Sequence, residues 1–383
     1  MRPVYIRHLA SELPLEPVNN EQMEQVLGQI GDRPSRARRV ILRSNGIRNR
    51  HYVLDPETRE PTQTNAQLTA AAIRGLVDQG LALDQLEVLA CGTSSPDQLM
   101  PGHAAMVHGE LRQSTCEAVS FAGICASGIA AMKYAVMAVR GGDAERAVAT
   151  GSEVASTFMR AENFVTESAG DPALLEKRPE LAFDRDFLRW MLSDGAGAAW
   201  VSSESAPGAL RVEWIEQRSY AHEQPACMYA GADARADGGL QGWREYGSTQ
   251  TAARSCAFSV KQNVRQLNEF ITYYTVERAL GEIAAKRGLR AEDVDWFVPH
   301  YSSAYFRSRC HESMQRVNFD VPQERWFTNL ADVGNVGSAS MYLMLDALQR
   351  SGRLQPGQKI LCFVPESGRF TAAYMLLTAM GTE

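Results

Sequence analysis

The chain has 383 residues, of which 45% are hydrophobic and 22% charged, and its formal net charge is −6. This composition is typical of a large globular protein, and the acidic balance argues against a nucleic-acid partner, which would favour a basic face. No apolar run is long enough for a membrane span and no apolar leader follows Met1, so we expect a cytoplasmic protein with reduced thiols. The seven cysteines form no C-x-x-C pair, which argues against a zinc or thioredoxin-type site, and we predict no metal site.

Strands and helices are predicted to alternate along the first half of the chain. The predicted elements are a strand at 4–6, helices at 21–27 and 64–80, a strand at 86–93, a helix at 104–111, a strand at 118–120, the helix that follows Cys125 and a strand at 145–153. This alternation predicts a parallel sheet with helices on its faces, in which ligands bind at the carboxyl ends of the strands. Cys125 follows the 118–120 strand and therefore lies at such an end.

The stretch from 120 to 140 reads S-F-A-G-I-C-A-S-G-I-A-A-M-K-Y-A-V-M-A-V-R. Small and apolar residues occur on nearly every side of the predicted helix, which indicates that it is buried. Cys125 stands at its N-terminus, where unpaired N–H groups and the helix dipole lower the pKa of a thiol and favour a nucleophile. Free cysteines are also among the residues most often buried for structural reasons, so this cysteine alone leaves both interpretations open.

The second half contains an irregular region followed by further strands and helices. Residues 203–250 show little regular pattern, and the Gly-rich, charged segment 230–247 is predicted to be a long loop that could cover a pocket. The elements predicted beyond it are a helix at 258–287, a strand at 296–299, an apolar helix at 341–348 and strands at 359–364 and 371–379.

Two polar residues of the second half stand at the ends of predicted elements. His300 directly follows the 296–299 strand, and Asn335 lies in a small-residue turn that precedes the helix at 341–348. The Asn335 turn and its helix share the plan of the Cys125 turn and helix, so we predict two similar halves, at 1–205 and 206–383. A cysteine with a histidine elsewhere in the chain is the usual pattern of a thiolate nucleophile.

Seven motifs in this order resemble those of thiolase-fold condensing enzymes, specifically of the β-ketoacyl-acyl-carrier-protein synthase III type. They are N-G-I-R-N-R at 45–50, T-S-S-P-D at 93–97, the helix at Cys125, S-D-G-A-G-A-A at 193–199, V-P-H at 298–300, G-N-V-G-S-A-S at 334–340 and S-G-R-F at 367–370. The resemblance covers nearly the whole chain. It implies an α/β protein with the thiolase fold, layered α/β/α/β/α around mixed central sheets, and it favours the nucleophile interpretation of Cys125.

The resemblance also implies the chemistry of the site. An acyl group moves from a thioester to Cys125, and the backbone N–H groups of Cys125 and Gly368 form the oxyanion hole. His300 and Asn335 then stabilise the enolate of a malonyl- or β-ketoacyl-type extender, which attacks the acyl-cysteine. No cofactor is implied beyond the substrates, which are acyl thioesters on the phosphopantetheine of acyl carrier protein or coenzyme A.

Two further residues and the oligomeric state follow from the same resemblance. Met100 and Phe121 are expected to line or gate the acyl channel, although a core position would suit each as well. The family is usually homodimeric, with the loop near Met100 reaching the pocket of the partner subunit. The tryptophan and arginine that hold a coenzyme A adenine in the family are replaced here by Val40 and Ser44, which favours donors bound to carrier protein.

A cluster of arginines would suit such an acidic carrier protein. We expect carrier contacts from Arg36, Arg38, Arg39 and Arg307. The stretch before N-G-I and the P-E-S-G-R-F turn look most like the ketosynthases of dialkylresorcinol and aryl-polyene pathways, which join two acyl chains. This places the expected activity in specialised lipid or polyketide biosynthesis.

Three other functions fit parts of the pattern. A thiolase would need a second cysteine as base, and Cys362 lies inside a predicted strand, six residues before Gly368. A non-condensing acyltransferase would use the same acyl-Cys125 and pass the chain to a hydroxyl or amine. A non-catalytic subunit of a heterodimer would typically lack the nucleophile, so the presence of Cys125, His300 and Asn335 argues against it.

Overall fold

The computed structural model describes residues 2–30, 38–164, 188–255 and 257–381. Its strands are β1 Tyr5–Glu12, β2 Val18–Asn19, β3 Asn49–Arg50, β4 Val88–Thr93, β5 Glu117–Ala122, β6 Arg146–Glu153, β7 Gly195–Ser202, β8 Leu210–Ser219, β9 Met228–Tyr229, β10 Ala232–Ala234, β11 Leu240–Gly242, β12 Lys261–Gln262, β13 Trp296–Pro299, β14 Lys359–Glu366 and β15 Thr371–Ala379. Its α-helices are α1 Met23–Leu27, α2 Arg38–Asn45, α3 Asn65–Val77, α4 His103–Leu111, α5 Ala126–Gly141, α6 Ser156–Met159, α7 Thr249–Arg254, α8 Val264–Thr272, α9 Ala279–Arg287, α10 Tyr305–Arg316, α11 Leu330–Val333 and α12 Ser340–Arg350.

Nine of these strands form one mixed sheet, in the order β13-β14-β15-β8-β1-β7-β6-β4-β5. Outward from β1, the pairings with β7 and β6 are antiparallel and those with β4 and β5 are parallel. Outward from β8, the pairings with β15 and β14 are antiparallel and the pairing with β13 is parallel. The two arms therefore repeat one arrangement and meet at β1 and β8, which share two residue pairs. The division of the chain at 205 and 206 stays a prediction.

The helices separate the two arms and cover their outer faces. Buried side chains of α5 and α12 pack together with strands of both arms in a central apolar cluster. On the outer face of the first arm, α3 and α4 bury a second cluster, and α8, α9 and α10 contribute to a third cluster on the second arm. A strand buried on both faces reads as a continuous apolar or small-residue run, as β4 and β7 do. This is the layered α/β arrangement that the sequence predicted.

Most predicted elements are confirmed, with three differences in the second half. The segment 210–219, predicted to be irregular, is the ten-residue strand β8 at the centre of the sheet. The predicted loop at 230–247 contains the short hairpin of β10 and β11. The predicted helix at 258–287 begins only at Val264 and includes a π-helical turn, Tyr273–Arg278. Within the described ranges, no helix is long and apolar enough to cross a membrane.

Candidate active site

Cys125, His300 and Asn335 line the same cavity, which has a volume of about 390 Å³. Cys125 is the residue before α5, His300 directly follows β13, and Asn335 lies between α11 and α12. Parallel strands and the two helices of the central layer therefore deliver all three side chains to one place. The three predicted catalytic residues are thus brought together by elements from both arms of the sheet.

Hydrogen bonds from a distant strand fix the turn that presents Cys125. The carboxylate Oε2 of Glu366, at the end of β14, accepts from the backbone N–H groups of Ile124 at 3.1 Å and Ala126 at 3.0 Å. The Ser127 hydroxyl donates to the Ile124 carbonyl at 2.7 Å, which closes the turn from the helix side. Cys125 itself adopts right-handed helical angles, with φ −59° and ψ −32°. Cys125 therefore lies in a turn that is held from both sides.

The two amides predicted to form the oxyanion hole lie close to this turn. A Cβ added to Gly368 would stand 3.1 Å from Cδ1 of Ile124, so the 367–370 turn adjoins the residue before Cys125. Within the described part of the chain, neither the Cys125 nor the Gly368 amide donates to another protein group. Both N–H groups are therefore open to a substrate oxygen, and their joint role stays a prediction.

Two glycines allow the backbone of the Asn335 turn to lie directly against the backbone of α5 and β6. A Cβ on Gly128 of α5 would lie 2.1 Å from the carbonyl oxygen of Ser338, and one on Gly151 of β6 would lie 2.2 Å from the same oxygen. Such distances are far inside van der Waals contact, so no side chain fits at either position. The Tyr342 hydroxyl also donates to the Gly128 carbonyl at 2.7 Å, which ties α12 to α5.

The environment of Asn335 and His300 makes both side chains neutral hydrogen-bonding groups. The Oδ1 of Asn335 accepts from the Gly337 amide at 3.0 Å, so its Nδ2 remains as the donor. Burial lowers the pKa of His300 to about 4, so the imidazole is uncharged at neutral pH. A buried neutral imidazole and a carboxamide can stabilise a developing negative charge without carrying a full positive one.

Two buried carboxylates oppose ionisation of the thiol. Burial raises the pKa of Cys125 strongly, and the charges of Glu366 and Glu153 raise it further. The sequence predicted the opposite direction, because the start of a helix normally favours a thiolate. The prediction was wrong chiefly because the thiol is buried, and also because the amides on either side of Cys125 already hold a carboxylate.

Glu153 lines the cavity and was missed by the sequence reasoning. Its carboxylate accepts from the hydroxyls of Ser94 and Ser95, both at 2.7 Å, and from the amides of Ser94 and Ser338, at 3.1 and 3.2 Å. It therefore joins β4, β6 and the Asn335 turn at the floor of the site. Burial raises the pKa of this carboxyl group, while the hydrogen bonds from the serines lower it.

The remaining cavity wall is largely apolar and comes from the second arm. It is formed by side chains of α8, the π-helical turn and α10, among them Leu267, Ile271, Val276, Phe306 and Cys310. The apolar spacing along 264–276 could have indicated this wall, since it marks one buried face of a helix. A chain of methylene groups fits such a surface.

The two predicted channel residues lie elsewhere in this subunit. Met100 is 74% exposed, and Phe121 is half-buried against Tyr134, with ring centroids 5.8 Å apart. Neither is among the described residues that line the cavity. Their assignment to the acyl channel stays a prediction that involves the partner subunit.

The predicted carrier-binding arginines differ in their surroundings. Arg36 lies outside the described residues. Arg38 is half-buried and pairs with Glu24 at 2.8 Å, whereas Arg39 is exposed on α2. Arg307 donates to the Tyr301 hydroxyl at 3.1 Å, and Tyr301 lines the cavity.

Cys362, the base that a thiolase would need, packs in the central apolar cluster at 1% exposure. It is not among the described residues that line the cavity. The fold therefore gives this cysteine a structural environment.

Comparisons with known proteins agree with this geometry. The family described as "Beta-ketoacyl synthase, N-terminal domain" matches residues 68–206, and "3-Oxoacyl-[acyl-carrier-protein (ACP)] synthase III C terminal" matches residues 284–377. The β-ketoacyl-[acyl-carrier-protein] synthase III of Rhizorhabdus wittichii is 24% identical over 371 residues, which cover 97% of this chain and 98% of the relative. The protein of that name from Methylococcus capsulatus is 25% identical over 325 residues, 84% of each chain.

Solved structures show the same fold. AbyA1, a tetronic acid condensing enzyme, is similar with a TM-score of 0.76 at 21% identity, over 98% of this chain and 99% of AbyA1. OleA of Xanthomonas campestris, in a structure with bound lauric acid and lauroyl-CoA, has a TM-score of 0.74 at 20% identity, over 98% of this chain and 99% of OleA. The layered sheet and the converging site thus define a thiolase-fold enzyme. Within that class, the two family models and the curated relatives support a β-ketoacyl synthase III-like condensing enzyme and hence an acyltransferase.

Proposed function

We propose that this enzyme loads an acyl group onto Cys125 and joins it to a second thioester by a Claisen-type condensation. The observation that carries the proposal is the convergence of Cys125, the neutral His300 and the donating amide of Asn335 on one cavity. This combination serves a thioester exchange followed by stabilisation of an enolate. Each half-reaction uses groups that the fold already holds in place.

In the first half-reaction, Sγ of Cys125 attacks the carbonyl carbon of an acyl thioester. The amides of Cys125 and Gly368 hold the oxyanion of the tetrahedral intermediate. The bond to the carrier sulfur then breaks, and the proton of the Cys125 thiol ends on the released carrier thiol. The product is an acyl-Cys125 thioester whose alkyl chain lies along the apolar wall.

In the second half-reaction, a malonyl-type thioester loses CO₂ and becomes an enolate. His300 and Asn335 donate hydrogen bonds to the enolate oxygen while its α-carbon attacks the acyl carbonyl. The new C–C bond forms, the bond to Sγ breaks, and the Cys125 thiolate takes up a proton. A β-ketoacyl thioester as second substrate would need an α-proton removed in place of CO₂ loss, as in the dialkylresorcinol branch that the sequence resembles.

The apolar wall of the cavity supports an alkyl-chain substrate. Ile271, Val276 and Phe306 are all at least 93% buried and present only hydrocarbon surface to the cavity. OleA, which shares the fold, binds lauric acid and lauroyl-CoA. We therefore assign an acyl chain of fatty-acid type to this wall, delivered by acyl carrier protein or coenzyme A.

The surface near β5 supports a homodimer. Strand β5 is the edge of the nine-stranded sheet, and most of its residues are exposed or half-buried. Gly102 lies against Ser120 of this strand, and Leu99 and Met100, which shortly precede Gly102 in the chain, are 71% and 74% exposed. An unpaired edge with neighbouring exposed apolar side chains is a suitable surface for a second copy of the chain. Such pairing would bring Met100 towards the partner's cavity.

Intact-protein mass spectrometry tests the acyl-enzyme directly. Wild type mixed with lauroyl thioesters of acyl carrier protein or coenzyme A should gain one acyl mass, and Cys125→Ala should gain none. Cys116→Ala is the matched control, because Cys116 is a half-buried free cysteine that is not among the described residues lining the cavity, and this variant is expected to leave acylation intact. Acylation of Cys125→Ala would contradict the proposal.

The product separates condensation from the acyltransferase alternative. Addition of a malonyl or β-ketoacyl thioester to the acyl-enzyme should yield a C–C coupled product. An ester or amide in its place, formed from an added alcohol or amine, would refute condensation.

A further inference from the structure

Glu366 occupies an unusual position beside the nucleophile. It ends β14, and its Oε2 accepts from the amides of Ile124 and Ala126, the residues on either side of Cys125. Cys362 and Val364 of this strand face the central cluster around α5. Alternate residues of a strand point to the same face, so Glu366 faces the same side. Its neighbours Pro365 and Ser367 line the cavity, whereas Glu366 is not among the described lining residues.

A carboxylate in this place has two consequences for Cys125. First, it links the nucleophile turn to β14 across 240 positions of sequence, and so joins the two arms at the active site. Second, it puts negative charge on the amides that begin α5, where the helix would otherwise favour a thiolate. The first effect is geometric, and the second is electrostatic.

We propose that Glu366 is a positioning residue for the nucleophile. It fixes the turn that presents Cys125, and its charge offsets the helix terminus, which adds to burial in keeping Cys125 of the free enzyme a thiol. The proposal rests on the proposed function, in which Cys125 is the acyl-carrying nucleophile. A resting thiol is protected from adventitious alkylation and oxidation, because the thiolate is the reactive form.

Other groups near the thiol must be separated from Glu366. Among the described residues, the titratable side chains that line the cavity with Cys125 are Glu153 on β6, Tyr229 on β9, His300 and Tyr301 after β13, and Cys310 on α10. Of these, Glu153 acts in the same direction as Glu366 and raises the pKa of the Cys125 thiol. Glu153 is held by serine hydroxyls and amides that do not involve Glu366. Substitution of Glu366 therefore leaves the contribution of Glu153 in place.

The experiment compares Glu366→Gln with wild type. Glutamine keeps an oxygen that can accept from the two amides but removes the charge. Alkylation of Cys125 by iodoacetamide is followed from pH 6 to 10 by mass spectrometry, with peptide mapping to assign the thiol. We expect the Glu366→Gln profile to move to lower pH, with alkylation at pH 7 at least about tenfold faster. Glu292→Gln removes one charge at a residue whose side chain is 65% exposed, and should leave the profile unchanged.

A second variant tests positioning. Glu366→Ala removes the hydrogen-bond acceptor as well as the charge, so the turn that presents Cys125 is no longer held. We expect the rate of acylation to fall about tenfold or more below that of Glu366→Gln, at unchanged KM. An alkylation profile of Glu366→Gln identical to wild type would overturn the proposal, even if Glu366→Ala fails to fold. If the profile shifts but wild-type Cys125 takes no acyl group, the proposed function fails and the electrostatic role of Glu366 stands.

Discussion

Replacing Gly128 with alanine would test how closely the nucleophile helix must approach the Asn335 turn. The added Cβ would stand 2.1 Å from the carbonyl oxygen and 3.1 Å from the carbonyl carbon of Ser338. Both are backbone atoms, so no flexible side chain can move aside. The helix and the turn must separate by about 1 Å to restore ordinary contact.

The expected magnitude follows from this displacement. Overpacking a close-packed interior by one methyl group costs about 1–3 kcal/mol, so the free energy of unfolding should fall by that amount. Cys125 and Asn335 lie on the two sides of the displaced contact, and a misplacement of about 1 Å can cost about 100-fold in rate. We expect C–C bond formation to fall by about that factor, measured as product formed per acyl-enzyme. Urea denaturation gives the stability change.

Gly109→Ala is the matched control. Gly109 is an exposed residue of α4, and a Cβ there would meet nothing within 4 Å. Alanine in a helix is favoured over glycine, so this variant should gain about 0.5–1 kcal/mol of stability and keep its activity. If Gly128→Ala shows the same gain and the same rate, the backbone contact does not exist as described and the reasoning fails.

Three further outcomes are expected. The unfolded chain protonates His300 below about pH 6.5 while the folded chain resists until about pH 4, so stability should decrease as the pH falls across this window, by on the order of 3 kcal/mol. His300→Gln should remove this contribution to the slope. The matched control is His103→Gln: His103 is buried with a pKa also near 4, so this variant should remove a similar contribution of its own without slowing condensation. Asn335→Ala should lower C–C formation about 10²–10³-fold and leave acylation of Cys125 within a few-fold, as judged by product and adduct masses, and equal losses in both steps would contradict the enolate role. Val276→Phe should shift the preferred acyl chain to shorter lengths and Val276→Ala to longer ones in competition assays, whereas an unchanged preference would remove Val276 from the acyl wall.

The positions of the three candidate catalytic residues could be predicted because their local signals are strong. The strand W-F-V-P ends at His300 in a continuous apolar run, and the structure places β13 over the same four residues. The small-residue stretches around Cys125 and Asn335 mark helices that approach other backbone closely, as the contacts of Gly128 confirm. Such features depend only on neighbouring residues, so the sequence displays them.

The predictions that were wrong depend on which elements pack against each other in the fold. Strand β8 alternates apolar and polar residues, but it contains more charged residues than a central strand usually does. Its segment of the sequence was therefore predicted to be irregular. Glu216 on this strand carries its charge outward to Lys286 at 2.7 Å and to Arg287 at 2.9 Å. The contact between Glu366 and the Cys125 turn joins residues 240 positions apart, and no local pattern indicates it. The direction of the shift in the thiol pKa could not be predicted from the helix terminus alone, because it depends on burial and on carboxylates that are distant in sequence.

The protonation states of the site favour condensation over acyl transfer to a hydroxyl or amine. A general base works best when its pKa lies near the working pH, and His300, with a pKa of about 4, is too weakly basic to remove a proton from an alcohol efficiently. The same low pKa suits a hydrogen-bond donor to an enolate. A neutral imidazole stabilises the oxygen, whereas an imidazolium would be acidic enough to protonate the attacking carbon and end the reaction as a simple decarboxylation. Asn335, with its carbonyl oxygen already occupied, adds a second donor that cannot protonate anything. The burial that weakens His300 as a base is therefore the property that would make the pair effective in forming a carbon–carbon bond.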